Sequence, residues 1–360
     1  MKSSFEYNQL FSVLKPHLRI HKARLVCICL LITSLLKVRS VNFNRLSEGI
    51  FTGASLDSNL RRIQRFFAKF RFEQEAFSGL LLAMMPIKGK FKLSLDRTNW
   101  KFGKRNINIL FLSVIYQGVG LPILWTILGD KKGNSNQQER IDLMNRFFCL
   151  FGEDKIEYLT ADREFIGGKW WSYLSENQIP FYIRVRENMF LTTADGKQIK
   201  SKWLLQSQPL YQAYFHPKIV YINGVLVYFS GMKTVVKGKV EYLAIASFHQ
   251  QDLSFECYKQ RWQIETMFKA FKSSGFNLED THLRDYKRIN NLLCIISISF
   301  IWAYSTGIYY HENEKPIRIK THKRREKSLF SYGLEKLRHA LVNKIEVEII
   351  KLCSLVLSCT

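Results

Sequence analysis

The sequence predicts a mixed α/β fold, in which a sheet with helices on both faces is flanked by helical regions. Apolar residues recur at helical spacing through the first 85 residues. From residue 90 the pattern changes to the alternation that is typical of strands, and strand-like and helix-like stretches then follow one another. Such alternation is typical of a sheet covered by helices.

Residues 1–85 are predicted to be a helical region that binds DNA ends or mediates dimerisation. We predict helices at 10–18, 23–38 and 60–67. The third helix carries three arginines beside aromatic residues, and Asp57 or Ser58 can cap it. A plain helical bundle with a basic surface fits the same pattern nearly as well.

Residues 86–189 are predicted to form most of a sheet domain. The predicted strands are 91–96, 107–116, 121–128, 156–160 and 181–185, and the predicted helices are 137–151 and 167–177. Three strands, a helix, a strand, a helix and a strand make up a ribonuclease-H-like order. We expect residues 251–310 to complete this domain.

Two further regions are predicted from local patterns. Residues 190–250 contain short β-like runs separated by Asn-Gly and Lys-Gly turns, which indicates a β-rich insertion. Residues 311–360 are predicted to be a basic helical region. Within it, the run 318–327 holds six Lys and Arg residues against one acid, which suggests a phosphate contact.

The apolar stretch 292–310 contains 19 uncharged residues and reaches the length of a membrane span. We interpret it as a buried core helix, because it contains several Ser residues and directly follows a predicted helix that carries candidate functional side chains. A membrane protein is the remote alternative. The earlier apolar run, 25–36, is too short to span a bilayer comfortably.

The charge balance indicates a polyanionic partner. The chain has 54 Lys and Arg against 30 Asp and Glu, a net charge of +24, and nucleic acid is the usual partner of such a protein. A basic ribosomal-type or membrane-surface protein is the alternative. The seven cysteines form no CxxC pair and their number is odd, so we expect a reducing cytoplasm rather than a disulfide framework.

Three carboxylates occupy positions where they can meet. Asp96 ends the first predicted strand, Asp162 follows the fourth, and Glu265 lies on a predicted helix after the insertion. Strands one and four are neighbours in a ribonuclease-H-like sheet, so we expect the two aspartates side by side. Clustered carboxylates repel one another unless a cation lies between them, and hard oxygen ligands favour Mg²⁺ or Mn²⁺. Two such ions, about 3.5–4 Å apart, can promote phosphoryl transfer without a protein nucleophile.

The segment 258–272 combines this carboxylate with groups that bind phosphate. On a regular α-helix, Tyr258, Arg261, Glu265 and Lys272 fall within an arc of roughly 60°. Apolar residues occupy the other side of the helix. The alternative is a solvated face on which Arg261 and Glu265 form an ordinary i,i+4 pair.

The motifs LSLDRTNW (93–100) and LTADREF (159–165), with the Tyr-x2-Arg-x3-Glu-x6-Lys spacing, resemble the insertion-sequence four family of DDE transposases. The resemblance extends from about Asn59 to Tyr310. It implies that Asp96, Asp162 and Glu265 form a metal-binding catalytic triad. It also implies that Tyr258, Arg261 and Lys272 hold the phosphates of the transposon end. Arg163 and Glu164 would support the site or touch DNA.

The function implied is that of a DNA transposase. It would bind the terminal inverted repeats of an insertion sequence and carry out metal-dependent strand cleavage and strand transfer with two Mg²⁺ ions, or Mn²⁺ as a substitute. Double-stranded DNA, as transposon ends and as target, would be its partner, and a homodimer would act on paired ends without any membrane. We expect a prokaryotic, nucleoid-associated protein of the cytoplasm. The alternatives are a ribonuclease-H-like nuclease without strand transfer and an inactive DNA-binding relic.

Overall fold

The structure is a computed structural model that describes residues 5–249, 252–321 and 323–357. His322 of the basic run and Cys359 lie outside the described residues. The other six cysteines are free thiols.

The described residues begin with five helices, continue with strands and helices in mixed order, and end with five helices. In chain order, the helices are α1 (Phe5–Leu14), α2 (Lys22–Val38), α3 (Phe43–Glu48), α4 (Leu56–Lys69), α5 (Gln74–Ala83), α6 (Gln137–Phe151), α7 (Gly168–Glu176), α8 (Ser201–Gln206), α9 (Ser254–Lys259), α10 (Gln263–Lys269), α11 (Tyr286–Asn313), α12 (Leu329–Asn343) and α13 (Glu346–Ser354). The strands are β1 (Phe91–Phe102), β2 (Arg105–Tyr116), β3 (Val119–Ile127), β4 (Ile156–Ala161), β5 (Phe181–Val185), β6 (Phe190–Thr192), β7 (Gln198–Lys200), β8 (Ala213–Phe215), β9 (Val220–Ile222), β10 (Val225–Val236) and β11 (Lys239–Ser247).

The chain divides into two compact units. The sheet unit comprises residues 88–99 and 108–266, and the helical unit comprises residues 1–87, 100–107 and 267–360. The division does not coincide with the four predicted regions. Those regions, and the DNA-end-binding or dimerising role of residues 1–85, remain predictions.

The sheet unit is built on one mixed sheet. Its strand order is β3-β2-β1-β4-β5-β11-β10-β9-β6-β7, and β8 pairs with β10. Strands β1, β4 and β5 run parallel, whereas β2 and β3 are antiparallel. The mixed α/β class is thereby confirmed, as is the predicted adjacency of the first and fourth strands.

Hairpin turns in this sheet follow directly from local sequence. Both residues of the Gln117-Gly118, Asn223-Gly224 and Lys237-Gly238 turns have positive φ. Two-residue turns of this kind match the twist of the strands that they join, and glycine adopts positive φ without strain. The Asn-Gly and Lys-Gly pairs therefore mark the turns into β10 and β11, as predicted.

The strands between residues 190 and 247 extend this same sheet. Strand β11 pairs antiparallel with β5, and β10 pairs with β11 along nearly its whole length. These strands belong to the sheet unit, and the description of residues 190–250 as an insertion remains a prediction.

Helix α11 forms the centre of the helical unit. It is long and apolar enough to cross a membrane by length and composition, but 89% of its most apolar 18-residue window is buried inside the protein. It packs against α12, α2 and α5. As predicted, the apolar stretch is a core helix.

The start of α4 differs from the prediction in its capping residue. Ser55, and not Asp57 or Ser58, is the N-cap, and its hydroxyl accepts a hydrogen bond from the Ser58 backbone N–H. Asp and Ser are both favourable at the N-cap position. Since three such residues occur within four positions, the sequence does not decide which of them caps the helix.

Candidate active site

Two Asp-Arg pairs lie side by side, one in the middle of β1 and one directly after β4. The prediction that Asp96 ends the first strand is wrong, because β1 continues to Phe102. In the parallel pairing, Leu93 lies opposite Leu159 and Leu95 opposite Ala161, so the motifs LSLDR and LTADR align residue by residue. Each aspartate accepts a hydrogen bond from the next backbone N–H, at 2.7 Å for Asp96 and 2.8 Å for Asp162. The register therefore places the two carboxylates at the same level of adjacent strands.

The Asp96 carboxyl is largely buried and lies near two other carboxylates and one guanidinium. Burial raises the pKa of this carboxyl to about 7, although the Arg261 guanidinium and the Arg97 backbone N–H act to lower it. The nearby carboxylates of Glu164 and Asp162 raise the pKa further. A cation is therefore favoured beside Asp96.

Arg261 links this carboxylate to Glu265. Its Nη1 donates to Asp96 Oδ2 at 3.0 Å, and its Nη2 donates to Glu265 Oε1 at 2.8 Å. The Arg261 side chain is only 5% exposed and its guanidinium lies 4.9 Å from the centre of the Trp262 ring. Burial acts to lower the pKa of Arg261, but Tyr258 and the carboxylates act more strongly in the other direction, so the pKa is raised and the charge is kept.

Tyr258 fixes the second aspartate. Its hydroxyl donates to Asp162 Oδ1 at 3.2 Å, while its ring packs in a buried cluster with Tyr158, Tyr182 and Cys257. Burial, followed by the charge of Asp162, raises the pKa of Tyr258 to about 12. The hydroxyl therefore stays protonated at neutral pH and can act as a donor.

The segment that carries these groups is not the single regular α-helix that we predicted. A 3₁₀ turn at Gln260–Trp262 separates α9 from α10, and a π-helical turn follows at Ala270–Ser274. These turns wind at about 3 residues and at more than 3.6 residues per turn respectively, so a uniform 100° spacing does not hold. The predicted 60° arc is therefore wrong as a description of this segment.

The structure brings together five of the predicted site residues. All five belong to the sheet unit and have buried or partly buried side chains: Asp96, Asp162, Tyr258, Arg261 and Glu265. Arg163 also lies beside Asp162, with an exposed side chain. Lys272 belongs to the helical unit, where its Nζ pairs with Glu279 at 2.7 Å. Its contact with DNA stays a prediction.

Two further arginines shape the site and were missed in the sequence. Arg97 forms a double hydrogen bond with Glu164, at 3.1 and 3.2 Å. Buried Arg140 donates to the backbone oxygens of Glu164 and Ile166, at 2.9 and 3.3 Å. Together they hold the loop that follows Asp162. A signal was present, since Arg140 interrupts the apolar side of its helix.

Burial lowers the pKa of Arg140 to about 10, which leaves it charged at neutral pH. Its guanidinium also lies 5.0 Å from the centre of the Phe165 ring. Aromatic stacking and carbonyl acceptors replace the water that this group gives up on burial. A Lys at this position could not bind several carbonyl groups in one plane.

The start of α10 lies directly against β3. The Gly118 backbone N–H donates to Gln263 Oε1 at 3.0 Å. At Gly120, a Cβ atom would lie 2.9 Å from Ile264 Cα and 2.8 Å from Ser113 Oγ. Glycine at position 120 therefore permits the helix backbone, and with it the neighbouring Glu265, to approach the sheet.

We expect Gly120→Ala to slow the strand cleavage that the family resemblance implies, by about 10-fold or more, because the added methyl group displaces the backbone next to Glu265 and an error of about 1 Å can cost 100-fold. Single-turnover cleavage of labelled DNA measures the effect. Gly79→Ala is the matched control, since a Cβ at Gly79 meets no atom within 4 Å. Equal cleavage rates for Gly120→Ala and wild type would contradict the proposed docking of α10.

The donor set is suited to a divalent metal ion. Asp96, Asp162 and Glu265 offer hard carboxylate oxygens, which Mg²⁺ and Mn²⁺ prefer as ligands. As the side chains lie, no three acidic, His or Cys groups of the described residues surround a single ion position. The Arg261 guanidinium lies between Asp96 and Glu265 instead.

Comparison with known proteins places this site in a family. The family model described as a transposase DDE domain matches residues 83–302, which is more than half of the chain and includes Asp96, Asp162 and Glu265. The chain belongs to the DDE transposase family. No curated protein sequence matches it.

Seven chains of solved structures also match this DDE transposase. One is the cryo-EM structure of the piggyBac transposase synaptic complex with hairpin DNA. It shares 11% sequence identity, with a TM-score of 0.47, over 96% of this chain and 78% of that chain. Members of the DDE transposase family generally use divalent metals and act on DNA.

Proposed function

We propose that this DDE transposase is of the insertion-sequence four type. It binds the terminal inverted repeats of its own element, cleaves DNA strands at the element boundary and transfers the freed ends to target DNA. Cleavage breaks a P–O3′ bond by attack of water on phosphorus. In transfer, a 3′-hydroxyl attacks a phosphorus of the target strand and displaces another 3′ oxygen.

The observation that carries the proposal is the register of β1 and β4. It aligns LSLDR with LTADR, and Arg261 ties Glu265 to the first aspartate. Carboxylates in general are mostly surface residues. Here, in contrast, the buried Arg261 guanidinium binds two of the three carboxylates and the buried Tyr258 binds the third. Their positions are therefore fixed by the fold.

We assign Asp96, Asp162 and Glu265 as the residues that would hold Mg²⁺ or Mn²⁺. When bound, two such ions supply charge neutralisation at the attacking and leaving oxygens of phosphoryl transfer. The residues of the chain keep this donor set in place. Tyr258 orients Asp162, and the Arg97–Glu164 pair with Arg140 holds the loop behind it.

We assign DNA contacts to Tyr258, Arg261, Lys272 and Arg163. Arg163 is exposed and immediately follows a metal-ligand candidate, which suits a phosphate contact. Arg261 already binds the carboxylates of Asp96 and Glu265, which hold its guanidinium in place. A DNA phosphate would then bind to a guanidinium that is already oriented. The net charge of +24 favours association with DNA over a wide surface. A homodimer on paired ends, in a prokaryotic cytoplasm, completes the proposal.

We expect the protein to cut a labelled duplex at the boundary of the element's own ends when Mg²⁺ or Mn²⁺ is present. Chelation with EDTA should abolish cutting and leave binding in place, because it removes the metal ions whose positive charge would activate the phosphate. Gel analysis of the products measures both. Cutting that persists in EDTA would contradict a metal-dependent site.

A second substrate separates the transposase from a simple nuclease on the same sheet. With pre-cleaved ends and a supercoiled target, the proposed enzyme joins the ends to the target, whereas a nuclease yields no joined product. Binding without either reaction would indicate an inactive DNA-binding relic.

A further inference from the structure

The segment between α11 and α12 folds back on itself as a short hairpin. Ile319 and Arg325 form an antiparallel bridge. On either side of it, the Glu326 N–H donates to the Arg318 carbonyl and the Lys320 N–H donates to the Arg324 carbonyl, both at 2.8 Å. We call the described residues of this segment, 318–321 and 323–326, the basic hairpin. These bonds give it a defined backbone.

Both ends of the basic hairpin are attached to helices of the helical unit. Buried Ile317 precedes it, and the Ile317 backbone N–H donates to His311 Nδ1 at 2.9 Å. Ser328 follows it and caps α12 by accepting from the Ser331 N–H at 3.1 Å. Between these anchors, every described residue is exposed. The hairpin therefore lies at the protein surface.

The charge of the hairpin opposes its own folding. Its cations are Arg318, Lys320, Lys323, Arg324 and Arg325, against the single acid Glu326. Among the residues that the structure describes, none of these five cations forms an ion pair. Lys320 and Arg324 face one another across the hairpin, and like charges in this position are destabilising.

One apolar side chain accompanies these charges. Ile319 is 66% exposed and lies opposite Arg325. An isolated two-stranded hairpin is marginal in water even without charge repulsion. This exposed hairpin keeps five cations and an exposed isoleucine. A polyanion that neutralised the cations would therefore stabilise it.

We propose that the basic hairpin binds in a groove of double-stranded DNA. A two-stranded ribbon fits the major groove, where cations on its sides reach the phosphates and an apolar side chain can contact thymine methyl groups. This inference rests on the proposed function, because it supplies the DNA. It adds a contact in the helical unit, outside the catalytic motifs.

The test uses the full chain with Lys320→Gln, Arg324→Gln and Arg325→Gln combined. Fluorescence anisotropy with a labelled duplex gives the dissociation constant at several salt concentrations. Each lost phosphate contact lowers the slope of log K against log salt by about 0.9. We expect the slope to fall by about 2 to 3 and the affinity to fall with it, most steeply at low salt.

The matched control keeps the charge and exchanges the side chains, as Lys320→Arg, Arg324→Lys and Arg325→Lys combined. We expect it to retain the slope of the wild type. An unchanged slope in the neutral variant would overturn the inference, as would an equal loss in both variants. Since wild type is measured alongside, a failure of wild type to bind any duplex would instead overturn the proposed function.

Discussion

Glu265→Gln is expected to reduce the single-turnover rate of strand cleavage about 10³-fold, a loss of about 4 kcal/mol in the transition state. The amide oxygen can still accept the hydrogen bond that Arg261 donates to Glu265 Oε1 at 2.8 Å. The fold and the position of the side chain are therefore retained, while the negative charge that would hold a divalent ion is removed. Asp96→Asn and Asp162→Asn are expected to have effects of the same order.

The control for Glu265→Gln is Glu157→Gln. Glu157 lies on β4, the strand that leads to Asp162, and forms an exposed pair with Lys92 at 3.6 Å. Exposed pairs of this kind contribute at most about 1 kcal/mol, so cleavage should be unaffected. Anisotropy with the element's ends checks that each variant still binds DNA. Full cleavage by Glu265→Gln would show that this carboxylate is not a ligand.

The sheet that carries the two aspartates could be predicted because its signals are local. Alternating and continuous apolar runs marked the strands, and α6 and β5 have the bounds that were predicted for them. The adjacency of β1 and β4 came from the order of elements. Register could then be predicted in outline, since LSLDR and LTADR share a pattern in which each aspartate follows the last apolar residue.

The geometry around Arg261 could not be predicted in the same way. A helical projection assumes uniform winding, whereas the 3₁₀ turn at Gln260–Trp262 and the π-helical turn at Ala270–Ser274 break it. The 3₁₀ turn lies where Arg261 reaches Asp96 on β1, and Gln263, directly after it, meets the β2–β3 turn. Such tertiary contacts decide the local winding, and no short-range pattern contains them.

The supporting arginines were missed for a related reason. Arg140 lies on a helix whose apolar neighbours predict burial, and burying an arginine is unfavourable unless several acceptors surround it. Ser135, five residues before Arg140, accepts through its hydroxyl and its carbonyl oxygen. The other two acceptors, the carbonyls of Glu164 and Ile166, lie about 25 residues away on a loop that only the folded sheet brings near. These distant partners cannot be named from sequence.

Gly307→Ala is expected to destabilise the helical unit by about 3 kcal/mol or more. Helices α11 and α12 touch at Gly307 and Gly333, backbone against backbone. A Cβ atom on Gly307 would lie 1.9 Å from the Leu329 carbonyl oxygen, and a Cβ on Gly333 would lie 1.8 Å from the Ala303 carbonyl oxygen. Neither contact can be relieved by turning a side chain, so the helices must separate. Thermal and urea unfolding followed by circular dichroism measure the loss.

Gly79→Ala again provides the control, because it places the same methyl group on a helix without any neighbour within 4 Å. It should be neutral or stabilise by up to about 1 kcal/mol, since alanine favours the helix. Gly333→Ala should resemble Gly307→Ala, and the double variant should lose less than the sum, because one separation of the helices accommodates both methyl groups. Strict additivity would mean that the two glycines do not share one contact. Wild-type stability in either single variant would show that α11 and α12 do not cross there, and the basic hairpin would then lose the fixed base to which it is attached.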